Sequence, residues 1–311
     1  SSPGRPEVYF PFYFSLIGYF MKFCILRSGS SGNCTFIEHR NTRILLDAGG
    51  MSRKKLVALL EEIDIAPESI DAVVNTHVHY DHLNRSTLSF CRTFRSALYL
   101  HSENNSALLR RFDQKCRKGV QLLFFDHGVQ FDIGPVRFEP FEVSHDAAGV
   151  TSGFRFYGSD QTVCCAVGYA ADLGHAPDSV ISSLLDCEYL CLEANHDPDL
   201  LWKNPRRTYL HKKRVTGRRG HLSNLQSARA IEKLLDGSQK PPRNIILCHL
   251  SADHNSPQLA LEQINAFLGE KIRGTELSAA LRHCRTSFFG EKHIAVKKEP
   301  EPSQLNLFET C

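Results

Sequence analysis

The segment VVNTHVHYDHLNR, running from Val73 to Arg85, gathers His77, His79, Asp81 and His82 just after a short apolar run. Imidazole and carboxylate groups both bind divalent transition metals. His77 and His79 alternate with Val78 and Tyr80, so an extended backbone sends both rings to one side. Asp81 and His82 follow where the chain must turn, and they can address a second ion beside the first. Two adjacent cations need more donors than this segment holds, including a carboxylate able to bridge them. His145 in FEPFEVSHDA, Asp172 in VGYAADLG and His249 in IILCHLS each follow an apolar strand, as His77 does. A lone histidine in such a place is ordinarily structural. Three suitable residues at three strand ends, beside H-x-H-x-D-H, point instead to a metal centre.

These ligands need a scaffold of strands. MKFCIL, CTFIE and TRILLDAG read as strands, with SGSSGN as a tight turn between the first two. SRKKLVALLEEI is a helix with Ser52 as N-cap and Leu56, Leu59, Leu60 and Ile63 on one face. IDAVVNT is a buried strand that carries the histidine cluster at its end. ALYLHS, VQFDI, VRFEPFEVS, SGFRFYG, TVCCAVGYA, YLCLEA and NIILCHLS are further strands. Ser223 and Gln226 form a capping box before ARAIEKLLDG, and Ser256-Pro257 opens QLALEQINAFLG. Strands alternating with helices indicate an α/β protein, where ligands gather on loops at strand ends.

Composition narrows the class. The chain has 311 residues, 42 % hydrophobic and 23 % charged, with a formal charge of +3. That charge is too small to mark a polyanion-binding protein, so only local clustering is informative. The 11 cysteines form no C-x-x-C pair, which argues against a zinc ribbon and for a reducing compartment, hence a cytoplasmic protein. Residues 1–20 include the apolar stretch YFPFYFSLIGYF, shorter than the ~20 residues that span a bilayer. A membrane anchor is therefore not expected. Met21 reads as the true start, with residues 1–20 a mis-assigned extension. The alternative is an ordered N-terminal arm.

THVHYDH, followed in order by His145, Asp172 and His249, resembles the metallo-β-lactamase fold, from Met21 to about Phe289. The resemblance implies a single αβ/βα four-layer sandwich over residues 21–290 that binds two divalent ions. It places His77, His79 and His145 on the first ion, Asp81, His82 and His249 on the second, and Asp172 between them. The interval between Asp172 and His249 is too short for the inserted domain of β-CASP nucleases. MKFCILRSGSSGNCTFIE, VSHDA, LEANHD, GRRGHLSN and HLSADHNSP resemble the WalJ/YycJ group. That group is linked to 5′-to-3′ exonuclease action on double-stranded DNA, in repair or replication. Arg27 stands where the group usually has glycine. Related phosphodiesterases use a histidine before a late helix, steadied by a carboxylate, as proton donor to the leaving oxygen. His221 and Glu193 match those roles, beside the catalytic Asp81. An all-His/Asp shell suits zinc, manganese or iron, with manganese or zinc preferred.

The substrate reading has its own signals. KNPRRTYLHKKRVTGRRGH carries Lys203, Arg206, Arg207, Lys212, Lys213, Arg214, Arg218 and Arg219 with no acid among them, and leads into His221. A charge run is ordinarily a solvated face. Beside a metal mouth it would hold DNA phosphates without base specificity. Arg110, Arg111, Lys115, Arg117 and Lys118 could extend the track. SGSSGN lacks the P-loop pattern and reads better as a turn beneath the metals, with Ser30 and Asn33 as donors. Residues 291–311 form a polar tail ending in QLNLF. That motif resembles the one by which bacterial repair proteins dock on the DNA sliding clamp, through Gln304, Leu305, Leu307 and Phe308. Alternative activities are hydrolysis of RNA, or of a small thioester or lactam; the small acyl substrates have no use for the basic run or for His221.

Overall fold

The computed structural model describes residues 21–159 and 166–290. Residues 1–20, the tail with Gln304, Leu305, Leu307 and Phe308, and the first part of TVCCAVGYA lie outside the described residues. The first sheet contains β1 (Lys22–Arg27), β2 (Cys34–His39), β3 (Thr42–Leu46), β4 (Ala72–Val74), β5 (Ala97–His101) and β6 (Leu122–Phe125), side by side in that order. β1 to β3 pair antiparallel, and β3 to β6 pair parallel. Parallel pairing requires crossovers, which are α1 (Arg53–Glu61), α2 (Arg85–Phe94), α3 (Asn104–Arg111) and the short α4 (Gln114–Arg117).

The second sheet reverses the arrangement. β7 (Phe131–Ile133), β8 (Val136–Val143), β9 (Thr151–Gly158) and β10 (Val167–Ala170) pair antiparallel. β11 (Tyr189–Glu193), β12 (Asn244–Cys248) and β13 (Glu276–Ala279) then continue it in parallel. Its helices are α5 (Asp178–Leu184), α6 (Pro198–Lys203), α7 (Tyr209–Val215), α8 (Asn224–Gly237) and α9 (Pro257–Leu268). Among the described residues no helix is long and apolar enough to cross a membrane.

The layering follows from strands that are apolar on both faces. Successive residues of a strand point to opposite sides. In β1, Phe23 and Ile25 enter the core between the sheets, while Cys24 and Leu26 meet α1 and α2. In β12, Ile246 and Cys248 face the other sheet, while Ile245 and Leu247 pack against α8 and α9. Three stacked cores thus separate four layers: helices, sheet, sheet, helices. This is the αβ/βα sandwich that the resemblance implies. The central core includes Phe23, Phe138, Phe154 and Phe156, all fully buried. Each contributes roughly 1.5–3 kcal/mol relative to an exposed ring.

The expected caps are present. Ser52 accepts from Lys55 N at α1, and Ser223 with Gln226 makes the capping box of α8. Ser256 caps α9, with Pro257 at its first position. Ile63 lies beyond the end of α1 but is buried in the same core as Leu56, Leu59 and Leu60. At the far end of the domain Phe289 pairs with Phe23, and the Ile25 amide donates to Thr286 Oγ1 at 3.0 Å. The closing segment is thereby fastened to the first strand.

Candidate metal centre

The chosen residues converge because the strands of both sheets end on one side. His77 leaves β4 through Asn75 and Thr76, His145 lies just past β8, Asp172 just past β10, and His249 directly follows β12. Asp172 and His249 adopt φ of 57° and 55°, the left-handed region that non-glycine residues rarely occupy. Such backbone strain persists where the surroundings over-determine it, commonly at functional sites. Gly49 lets the ligand loop close on β3, since a Cβ there would stand 2.3 Å from the His82 amide nitrogen.

Donor atoms of His77, His79 and His145 lie within 4.8 Å of one another, and so do those of Asp81, His82 and His249. Asp172 stands between the sets, 2.8 Å from His82 Nε2 and 3.7 Å from His145 Nε2. The tautomers are fixed from behind. His145 Nδ1 donates to the Gly220 carbonyl at 3.0 Å, leaving Nε2 for the centre. A Cβ on Gly220 would come within 2.1 Å of the Val215 carbonyl, so that approach admits only glycine. His82 Nδ1 meets Asp47 Oδ2 at 2.7 Å, so its Nε2 also faces inward. Asp172 Oδ2 is buried and accepts no hydrogen bond despite its closeness to that nitrogen. An unpaired buried carboxylate oxygen among closely packed imidazoles calls for a cation, so the residues fit a metal.

Electrostatics separates the two sets. Burial disfavours the charged forms of His77, His79 and His145 and holds each below the ordinary histidine range. They are therefore neutral, as ligands must be. Burial also opposes charge on His82 and His249, but the surrounding carboxylates together outweigh it, Asp47, Asp81 and Asp172 for the former and Asp172, Asp81 and Glu193 for the latter. Both are raised, His249 to about 10, so a metal bound there would displace a proton from each. Burial would raise Asp81 and Asp172, yet neighbouring imidazoles hold both carboxylates well below their usual range.

His221 and Glu193 form a pair. His221 Nδ1 donates to Glu193 Oε1 at 2.7 Å, and Glu193 also stands 3.1 Å from His249 Nδ1. Glu193 Oε2 accepts from the Leu173 amide at 2.9 Å and the Leu222 amide at 3.3 Å. Burial would raise this carboxyl; the His221 ring instead brings it down to about 2. Burial opposes protonation of His221 as well, but Glu193 raises it above the ordinary value.

Sequence reasoning missed Asp47. It is fully buried with φ of 58°, and it accepts from Asn75 Nδ2, the Thr76 amide and Thr76 Oγ1 at 2.9–3.0 Å. Its signal was the one used for Asp172, an aspartate closing an apolar strand. The SGSSGN turn does sit beneath the centre. Ser28 Oγ accepts from the His249 amide at 2.7 Å, and Asn33 Nδ2 reaches His82 Nε2 at 2.9 Å. Ser30 lines the opening instead.

The centre opens into a cleft of about 430 Å³ lined by His79, Asp81, His145, Asp172, His221 and His249. Its walls include Arg207, His211 and Arg214, with Arg282 also on the lining. Only these two arginines of the basic run line it. Arg207 Nε is 3.1 Å from Asp253 Oδ2, and Arg214 Nη1 is 2.8 Å from Asp146 Oδ2. Lys212 donates to the Trp202 carbonyl, Lys213 lies over the Tyr209 ring, and Arg219 donates to the His145 carbonyl. Arg206 and Arg218 are exposed away from the lining. In the second basic group Arg111 donates to the Val78 carbonyl inside the ligand loop, while Lys115, Arg117 and Lys118 line a separate surface hollow. The buried thiols stay out of the centre, burial pushing Cys24 and Cys91 up to about 12.

Residues 42–250 match the β-lactamase superfamily domain. The chain belongs to the metallo-β-lactamase superfamily. Within that superfamily it is 33 % identical over 244 residues to Exodeoxyribonuclease WalJ of Streptococcus pneumoniae, covering 77 % of this chain and 85 % of that protein. Exodeoxyribonuclease YycJ of Bacillus anthracis is 26 % identical over 256 residues, 81 % of this chain and 90 % of that protein. Among solved structures, the metallo-β-lactamase fold protein YhfI of Bacillus subtilis superposes with a TM-score of 0.62 at 16 % identity, covering 86 % of this chain and 99 % of its own. The chain is thus a WalJ/YycJ-type metal-dependent hydrolase.

Proposed function

We propose that this chain is a cytoplasmic dinuclear phosphodiesterase that digests double-stranded DNA from 5′ to 3′, in repair or replication, with zinc or manganese as its metals. The observation that carries the reading is the His221–Glu193 pair, 2.7 Å apart, beside two donor sets with Asp172 between them. The relatives named as exodeoxyribonucleases support DNA as the substrate. The walls of Arg207, His211 and Arg214 support a polyanion rather than a small acyl compound.

His77, His79 and His145 would hold one ion, and Asp81, His82 and His249 the other, with Asp172 reaching both. Two such ions, when bound, lower the pKa of water and offset charge on a phosphate. Asp47 keeps the His82 Nδ1 proton and aims the ring. Glu193 does the same for His221, keeping it protonated so that Nε2 can give its proton to the departing oxygen. Arg207 and Arg214 position the backbone. Gln304, Leu305, Leu307 and Phe308 would tether the enzyme to a sliding clamp. Absence of binding between purified clamp and the 297–311 peptide in a polarisation assay would remove that part.

The direct test gives the manganese- or zinc-loaded protein 5′-labelled duplex DNA, matched RNA and a chromogenic lactam. DNA degradation that releases the label early, and that disappears in His79→Ala, is expected. Turnover of the lactam without cleavage of either nucleic acid would contradict the reading.

A further inference from the structure

α7 lines the cleft, and together with α6 before it carries an apolar group that none of the three cores absorbs. Trp202 is 42 % exposed, Tyr209 63 % and Leu210 78 %. The Trp202 and Tyr209 ring centroids lie 6.0 Å apart, and Lys213 Nζ stands 5.7 Å from the Tyr209 ring. Side chains so exposed contribute little to folding, and a contiguous apolar patch marks a binding surface.

The same stretch of chain faces the cleft with Arg207, His211 and Arg214, residues three or four apart. Leu210 and Arg214 are four residues apart and so adjoin on the surface of α7. This stretch therefore presents the guanidinium groups of Arg207 and Arg214 to the cleft and, beside them, an aliphatic and aromatic strip. From Lys203 to Arg219 the sequence has no Asp or Glu. An occupant must bring negative charge together with flat apolar faces. An unpaired nucleic-acid strand has both, phosphates on the outside and bases that stack on aromatic rings.

We propose that Trp202, Tyr209 and Leu210 form a shelf on which unpaired nucleobases stack while the adjoining phosphates meet Arg207, His211 and Arg214. This rests on the nucleic-acid phosphodiesterase reading and adds to it that a duplex end must open before its strand reaches the floor. The shelf contacts faces common to all bases, so it adds affinity without sequence preference.

Trp202 is the only tryptophan of the chain, so its emission reports the shelf directly. Full-length metal-loaded protein is titrated with a phosphorothioate oligothymidine, which resists cleavage, and with an abasic phosphorothioate oligomer of equal length. The oligothymidine should quench Trp202 and bind about tenfold or more tightly than the abasic strand. Leu210→Ala and Tyr209→Ala should each erase most of that difference, and Tyr209→Phe should restore it. Equal affinity for both strands, with unchanged Trp202 emission, would overturn the shelf. So would an emission change that follows protein concentration alone, which marks an interface between copies. DNA cleavage measured on the same preparation separates the two ideas. Cleavage without base-dependent binding removes the shelf and leaves the nuclease, whereas base-dependent quenching without cleavage keeps the shelf and removes the nuclease.

Discussion

At the floor of the cleft, Asp172, His82 and Glu193 are almost wholly buried, with His82 held by Asp47 and Glu193 by His221. At the rim, Arg207 and Arg214 are about half exposed and are paired with Asp253 and Asp146. The contrast is one of exchangeability. A buried charge that loses its partner costs several kcal/mol, so the floor has a single arrangement. An exposed ion pair contributes only about 0–1 kcal/mol, so Asp253 or Asp146 can give way to a phosphate with little loss. The floor is fixed in place, and the rim can exchange its partners.

That contrast predicts a descending series of effects. Asp172→Asn should lower turnover on DNA by roughly 10⁴-fold, as loss of one member of a catalytic set does. Circular dichroism should stay that of the native protein, and turnover above a tenth of native would break the contrast. Glu193→Gln or His221→Ala should cost about 10²–10⁴-fold in kcat while metal content, measured by atomic emission, is kept. Asp47→Asn should weaken metal affinity by about 10–100-fold, with turnover recovering as metal is added in excess. The smallest effect belongs to the rim. The double variant Arg207→Ala, Arg214→Ala should raise KM more than it lowers kcat. It should also flatten the dependence of log Kd on log salt by about 1 per arginine removed. A collapse of kcat in this variant would place the arginines with the floor.

The floor was largely legible because its chemistry is concentrated. The H-x-H-x-D-H cluster, and His145, Asp172 and His249 after apolar strands, fall where strands of both sheets end on one side. Asp47 escaped because an aspartate closing a strand looks the same whether it faces a metal or steadies a histidine. Only the fold distinguishes them, with φ of 58° turning Asp47 behind His82. The rim was less legible. A run rich in Lys and Arg reads as one surface until α7 gives it a period, after which His211 and Arg214 face the cleft and Lys213 does not, while Arg207 reaches the cleft from the turn before the helix. α2 and α5 were also missed. Their sequences, RSTLSFCRTF and DSVISSL, are rich in Ser and in Thr, Val or Ile, which have weak helix propensity. Packing of Leu88, Phe90, Val180 and Leu184 into the cores supplies what propensity does not. β13, with the exposed Glu276 at its start, had no apolar run to reveal it.

The central claim is that two adjacent donor sets act together on one phosphodiester. The most direct measurement is the metal content of purified native protein, His79→Ala and His249→Ala, with duplex DNA hydrolysis followed on the same samples. The native chain should hold two ions and each variant one, and both variants should lose hydrolysis. A single ion in the native chain, or native hydrolysis in either variant, would contradict the claim.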